Sequence, residues 1–247
     1  MIKITIITVC FNSEKYIEDC ITSIVSQTYS NIEYIIVDGG STDGTVDLIK
    51  KYEYGITKWI SEKDKGIADA MNKGIRFATG DYILFIHSDD YLLNQTSISD
   101  AVKIMYFNAD FNAFAILSGN RFKNIEKTSE KFSFNFYLKT KIMHQGCFCS
   151  RSVFDMLGLF DVHFKIAMDY DFFFRAYRHG CSIRCFNFPI SFMRDTGISS
   201  RKDWASLKLR FMEEQKVHYK NCKKNLIYRL YWFLYPKYRY LRCALRI

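Results

Sequence analysis

The chain has 247 residues, 49% of them hydrophobic and 25% charged, which suits a domain able to bury its own core and excludes a disordered or low-complexity chain. The net charge of +9 is unevenly placed: residues 201–247 hold 13 Lys or Arg against 3 Asp or Glu, a net +10, so the first two hundred residues carry −1. A nucleic-acid binder needs basic residues across its binding face, and this near-neutral region argues against one. Eight cysteines without a C-x-x-C pair read as reduced, mostly buried thiols of a cytoplasmic protein. Lys3 interrupts the opening apolar stretch, so no secretory leader is expected. No stretch approaches the eighteen or so apolar residues of a membrane span.

In chain order, residues 2–9 are a β-rich run and predict a buried first strand. Asn12 and Ser13 offer N-caps for a helix to about residue 27, with Ile17, Ile21, Ile24 and Val25 on one face. Further strands are expected over 32–37, 56–60, 82–86, 113–118, 142–149 and 181–188, the last ending before Pro189. Helices are expected over 45–52, 66–78, 97–107, 152–157, 170–179 and 201–220, and residues 122–137 read as a polar-aromatic hairpin or loop. Alternation of this kind predicts an α/β fold, a mostly parallel sheet with helices on both faces. Residues 1–200 read as one domain and 201–247 as a basic, aromatic, helical tail. In that tail Leu226, Leu230, Phe233 and Leu234 repeat at helical spacing beside Lys223, Lys224 and Arg229. Pro236 should break the pattern, after which Tyr238, Leu241 and Leu245 alternate with Arg239, Arg242 and Arg246. Basic residues with Trp and Tyr suit an anionic membrane surface; a terminal helix packed on the domain is the alternative.

Two acidic turns follow apolar runs, VDGGSTDGT at 37–45 and FIHSDD at 85–90. Ligands of open α/β sheets bind at the carboxyl ends of the strands, so Asp38 and Asp89 should face one crevice. Acids there hold a diphosphate only through a divalent cation, or else contact a neutral part of the ligand. Asp38 opens a glycine-bearing turn and could accept from a base N–H or a ribose hydroxyl, or cap the next helix. In HSDD, Asp89 fits Mg²⁺ or Mn²⁺, which take one or two carboxylates with phosphate oxygens and water. MDYDFFFRA, at 168–176, places Asp169 and Asp171 at a helix start, where the ionised form needed of a base is favoured. His144, beside Gln145, is a substrate contact or a core histidine. No G-x-G-x-x-G follows the first strand and no P-loop occurs, which excludes the common dinucleotide and nucleoside-triphosphate sites.

Together these residues resemble family 2 glycosyltransferases of the GT-A fold, over roughly residues 2–200. ITIITVCFN is similar to the family's opening strand, VDGGSTDGT to its nucleoside-binding turn and EKDKGIADAMNKGI to its donor-pocket segment; FIHSDD stands in the place of its D-x-D motif and MDYDFFFR in that of its base helix. The resemblance implies an inverting hexosyltransferase that uses Mg²⁺ or Mn²⁺ and a nucleotide-sugar donor, UDP-linked as is common in the family. Its acceptor would be a saccharide, such as a lipid-linked glycan of a cell-surface polysaccharide or lipopolysaccharide. It implies donor contacts from Thr8, Asn12, Asp38, Asp64, Gly66, Asn72, Lys73 and Ser88, and metal ligation by Asp89 with Asp90. Asp169 becomes the general base, supported by Asp171 and by the His144–Gln145 pair of a polysaccharide-synthesis subset. His87 replaces the first acid of D-x-D, and Met168 the acid that usually precedes the base. The alternatives are a sugar-nucleotide-binding module without turnover and transfer to a polyprenyl phosphate. The expected location is cytoplasmic, with the tail on the inner face of the membrane.

Overall fold

The computed structural model describes residues 1–119, 124–126, 142–197, 203–221 and 226–244. The expected hairpin at 122–137 lies outside them apart from the strand at 124–126, as do Lys223, Lys224, Leu245 and Arg246.

Strand β1 (Ile4–Cys10) is buried at every position, as a β-branched run covered on both faces must be. It pairs in parallel with β2 (Ile32–Asp38) on one side and β4 (Tyr82–Phe85) on the other, and β2 pairs in parallel with β3 (Lys58–Ser61). Alternate residues then divide between two cores. Ile7, Val9, Ile35, Val37, Ile83 and Phe85 pack with Ala68, Met71 and Ile75 of helix α3 (Ile67–Phe77). Ile4, Ile6, Tyr34, Ile36 and Leu84 pack on the other face. They meet α1 (Ile17–Val25), Ile49 of α2 (Thr45–Lys51) and Ile98 of α4 (Ser97–Ile104).

Beyond β4 the sheet is mixed. Its order is β3-β2-β1-β4-β8-β6-β9-β5, where β5 is Tyr91–Leu92, β6 Phe111–Ser118, β8 Cys147–Ser150 and β9 Ile183–Met193, and β7 (Asn124–Glu126) pairs with β6. The pairs β4–β8, β6–β8, β6–β7 and β5–β9 are antiparallel, and β6–β9 is parallel. The parallel sheet expected from the alternation is thus its first half. Strand β9 does not end before Pro189: the ladder to β6 shifts register around Ala115, which pairs with Pro189, and such an irregularity accommodates a residue without an N–H.

Four helices complete the described chain: α5 (Arg151–Leu157), α6 (Met168–Arg178), α7 (Trp204–Asn221) and α8 (Leu226–Ala244). Pro236 does not break α8, which runs through it, contrary to expectation. Helix α7 packs on α6, and α8 on α7. No helix among the described residues is long and apolar enough to cross a membrane.

At the opposite edge from the crevice, the buried carboxylate of Glu33 accepts bonds from Thr5 Oγ1 (2.6 Å), Thr79 N (2.7 Å), Thr79 Oγ1 (2.6 Å) and Lys3 Nζ (3.0 Å). Burial raises its pKa, but these bonds outweigh it and bring the group from 4.5 down to about 2. Its stabilisation is therefore complete above pH 4.5 and lost as pH falls towards 2. That shift corresponds to about 3 kcal/mol at neutral pH, an upper bound because solvent relaxes around the pair. Glu33→Gln should lower the urea midpoint at pH 7 and flatten the loss of stability between pH 4.5 and 2, which acid titration of the two proteins would show.

Candidate active site

Four loops meet where β1, β2, β3 and β4 end, and Asp38 ties three of them together. Its carboxylate is fully buried and accepts from Gly40 N (3.1 Å), Ser41 N (2.9 Å), Ser41 Oγ, Ser61 Oγ (2.6 Å) and Cys10 Sγ (3.5 Å). Burial raises its pKa, yet the bonds from Ser41 and Ser61 prevail and hold the carboxyl below its ordinary range. A carboxylate has about four lone-pair sites, so these donors fill its hydrogen-bonding capacity within the turn. Where a contact with the nucleoside base was expected, the Asp38 carboxylate is engaged in this structure by the turn itself.

The accessible carboxylate beside that turn belongs to Asp64. A Cβ on Gly39 would stand 2.5 Å from Asp64 Oδ2, so the missing side chain is what lets this acid lie against the turn. Asp64 Oδ1 accepts from Gly66 N at 2.7 Å, and Gly66, at φ +115°, starts α3 in a conformation that favours glycine. Asn12 braces the same turn, its Oδ1 accepting from Thr42 N and its N–H bonding Ser41 Oγ. Ser13 Oγ joins Ser88 Oγ at 2.8 Å, linking the loop after β1 to the loop after β4.

Three other expected donor contacts point elsewhere. Thr8 is fully buried, with Oγ1 donating to the Ile86 carbonyl (2.7 Å) and bonded to the Tyr34 hydroxyl; β1 alternation sends it into the α1 core. Asn72 is buried and brackets Phe160, donating to its carbonyl and accepting from its N–H, both at 2.9 Å. Lys73 already pairs with Glu62 (2.8 Å) and donates to the Lys63 carbonyl (3.1 Å), so it stiffens the Asp64 loop.

In the HSDD turn the two acids separate. Asp89 is half-buried, its Oδ2 accepting from Thr196 Oγ1 (2.8 Å), and among the described residues Oδ1 has no partner. Asp90 is 2% exposed, bonded to Arg194 N (3.3 Å) and to the Gln145 side chain. Burial, and then the charge of Asp89, push its carboxyl well above the ordinary range. Asp90, expected beside Asp89 as a metal ligand, is thus buried and engaged as a brace in this structure, with Gln145 as one of its partners. Arg194, for which the sequence carries no motif, organises this corner. It donates to the Asp89 carbonyl (3.0 Å) and to Asp19 Oδ2 (2.6 Å), and its guanidinium lies over the rings of Tyr16 and Tyr91.

His87 and His144 connect this turn to α6. Their rings lie 4.7 Å apart, and His144 Nδ1 is 3.5 Å from Asp169 Oδ2. Burial and the neighbouring His144 hold His87 well below the ordinary imidazole range, so a neutral ring stands where an acid was expected. His87 Nδ1 and His144 Nε2 are buried and unbonded among the described residues. Asp169, second in α6 and partly exposed, accepts at Oδ1 from Tyr170 N (2.7 Å). Asp171 is fully buried and bonded to Arg175 Nε (2.9 Å), Lys220 Nζ (3.1 Å) and Asn221 Nδ2 (3.3 Å), so it supports the helix and not the reacting groups.

A divalent cation fits the residues present in one respect. Asp89 offers a hard oxygen ligand with a vacant site, but no cluster of three His, Cys, Asp or Glu suited to a metal occurs among the described residues. The chain would supply one ligand and leave the rest to phosphate oxygens and water, the habit of Mg²⁺ and Mn²⁺.

The glycosyl transferase family 2 model matches residues 5–180, from β1 through α6. The chain belongs to that family. An uncharacterized glycosyltransferase of Mycobacterium tuberculosis is 32% identical over 178 residues, 70% of this chain and 68% of that protein. A PGL/p-HBAD biosynthesis glycosyltransferase of Mycobacterium bovis is 29% identical over 69% of this chain and 64% of its own length. Staphylococcus aureus TarS 1–349 in complex with UDP-GlcNAc aligns with a TM-score of 0.67 at 20% identity, covering 88% of this chain and 73% of that one. The Pyrobaculum calidifontis mannosyltransferase PcManGT, in complex with GDP-Man and Mn²⁺, aligns at 0.71 and 17% identity, over 99% and 73%. These likenesses establish the GT-A fold for this glycosyltransferase.

The Asn72 bracket makes a prediction independent of catalysis. Asn72→Ala strands the buried N–H and C=O of Phe160, at about 1–3 kcal/mol each. The urea midpoint should fall by the equivalent of several kcal/mol with an unchanged denaturant slope.

Proposed function

We propose that this glycosyltransferase moves a hexosyl group, with inversion, from a UDP-linked sugar to a hydroxyl of a saccharide carried on a lipid in cell-surface polysaccharide synthesis. The observation that supports the reading is that Asp169 lies against His144 and His144 against His87, two residues before Asp89 in the HSDD turn, which brings the base helix next to that turn. The relatives support the donor class, since TarS is seen with UDP-GlcNAc and PcManGT with GDP-Man.

In this reading the nucleoside lies over the Gly39 turn, with Asp64 accepting from the base or ribose. Asp38, Asn12 and Ser41 hold the turn in place. Asp89 is the ligand for Mg²⁺ or Mn²⁺, and when bound the cation neutralises charge on the departing diphosphate. Asp169 accepts the acceptor hydroxyl's proton. The bond from that oxygen to the anomeric carbon forms as the bond to the diphosphate oxygen breaks, on opposite faces of the sugar. His144 Nδ1 beside Asp169 Oδ2 orients that carboxylate.

The tail supports peripheral attachment to the cytoplasmic face of the membrane. Between α7 and α8 lies a cavity of about 500 Å³ walled by Trp204, Phe211, Met212, Pro236 and Tyr240, with Lys208 and Lys237 beside them. Leu230, Phe233, Leu234 and Tyr238 of α8 are exposed. Apolar side chains with cations and no acid among the lining residues suit an anionic lipid surface.

Two measurements test these readings. UDP-, GDP- and dTDP-sugars are offered with Mn²⁺, Mg²⁺ or EDTA and membrane extract as acceptor. One UDP-sugar should turn over only with metal, Asp169→Asn should lower kcat by about 10²-fold or more, and Asp89→Ala should raise donor KM as well. Turnover in EDTA, or full activity of Asp169→Asn, sinks the mechanism. Donor binding without transfer to any acceptor favours a binding module. Separately, vesicles containing phosphatidylglycerol should bind the chain in low salt and release it in high salt, and Lys208→Glu with Lys237→Glu should weaken binding. Equal binding to neutral vesicles would reject an electrostatic contact.

A further inference from the structure

We infer that Glu213 of α7 is a positioning residue for Asp169, which makes α7 part of the active site; the inference rests on the general-base reading above. Glu213 is 4% exposed, and its carboxylate collects three consecutive backbone amides. Lys165 N donates to both oxygens (3.0 and 3.1 Å), Ile166 N to Oε2 (2.8 Å) and Ala167 N to Oε2 (2.9 Å). Ala167 is the residue before α6, and Asp169 lies two residues on.

The first N–H groups of a helix have no intrahelical acceptor, and a side chain at the cap usually supplies one. Helix α6 has no such cap bond of its own. The segment leading into it is held instead from a separate helix, 46 to 48 residues further along the chain. The same helix holds the next residues of the first turn: His218 Nε2 lies 2.6 Å from the Tyr170 hydroxyl, and Lys220 and Asn221 bond Asp171. Residues 165–167, 170 and 171 are thus all fixed by α7. Asp169 stands between them with its carboxylate turned to His144. The height and direction of that carboxylate are set by Glu213 and its neighbours. The family match ends at residue 180, so this support comes from outside the matched region. A base displaced by about 1 Å loses up to about 10²-fold in rate, while donor binding at the Gly39 and Asp89 turns is untouched.

The test uses the full chain. Glu213→Gln keeps the shape but presents an NH₂ to amides that need an acceptor, and Glu213→Ala removes the acceptor. Lys216→Ala, on an exposed position of the same helix, is the control. Three quantities are measured: kcat for transfer, donor KM, and amide exchange across residues 160–170 by mass spectrometry. The expected result is kcat lowered about tenfold or more in both Glu213 variants, donor KM within about twofold, and faster exchange at 165–167, with Lys216→Ala like wild type. A Glu213→Gln protein that folds with unchanged kcat overturns the inference. So does one whose donor KM and kcat deteriorate together with its Tm, because that is a structural role only. Equal exchange in Glu213→Ala and wild type overturns the geometry whatever the substrate. A wild-type chain that binds no sugar nucleotide while exchange still responds to Glu213 refutes the proposed function and leaves the support of the α6 turn standing.

Discussion

The buried carboxylate of Asp38 is the constraint on which the crevice depends. It draws donors from the ends of β1, β2 and β3 onto one atom group, and a buried charge of this kind persists only when its lone pairs are filled. Each bond is modest alone, but losing one partner would leave a buried acid short of donors, which costs more than the bond itself. Around this knot the Gly39 turn takes its shape, Asp64 finds its place against the missing side chain, and Asn12 and Ser13 tie in the β1 and β4 loops. The acids of the site thus divide by burial: Asp38, Asp90 and Asp171 are buried and hydrogen-bonded, whereas Asp64, Asp89 and Asp169 are partly exposed.

The second half of the site is built by a different principle. The HSDD turn and Asp169 come from distant parts of the chain, and the rings of His87 and His144 link them. Replacement of the first acid by His87 removes one negative charge from the place where a cation and a diphosphate would meet, and leaves Asp89 as the one accessible carboxylate of that turn. On the other side Arg194 ties the end of β9 to Asp89, Asp90 and Asp19. Arg194 lies beyond the family match, as does the helix α7 that packs on α6.

Legibility followed local chemistry. The βαβ rhythm was clear because β-branched runs and amphipathic helices alternate with glycine- and acid-bearing turns, so the elements through β4 lie within about two residues of expectation, except α1, which starts at Ile17 after Tyr16 and not at the Asn12–Ser13 caps. Irregular pieces were harder: the two-residue β5 has no pattern of its own, and Pro189 and Pro236 read as terminators although a sheet irregularity and a continued helix absorb them. Roles were harder still. Asp38, Asp90, Thr8 and Asn72 sit in motifs at the crevice edge, yet whether such a side chain faces a ligand or a buried amide depends on neighbours tens of residues away. Arg194 and Glu213 stood outside every motif.

What the amino-acid sequence determined by itself was the family, the α/β alternation and the short set of acids that carry chemistry, because strand-ending turns must place their first residues at the carboxyl edge of a parallel sheet. What only the tertiary structure decided was which acids remain accessible and what holds them. Burial and hydrogen-bond saturation are sums over contacts from separate segments, and no local stretch contains them. Asp38 and Asp89 look alike in sequence. One is saturated by Ser41, Ser61 and two amides, and the other keeps an oxygen open, and that difference separates a residue that builds the site from one that can bind within it.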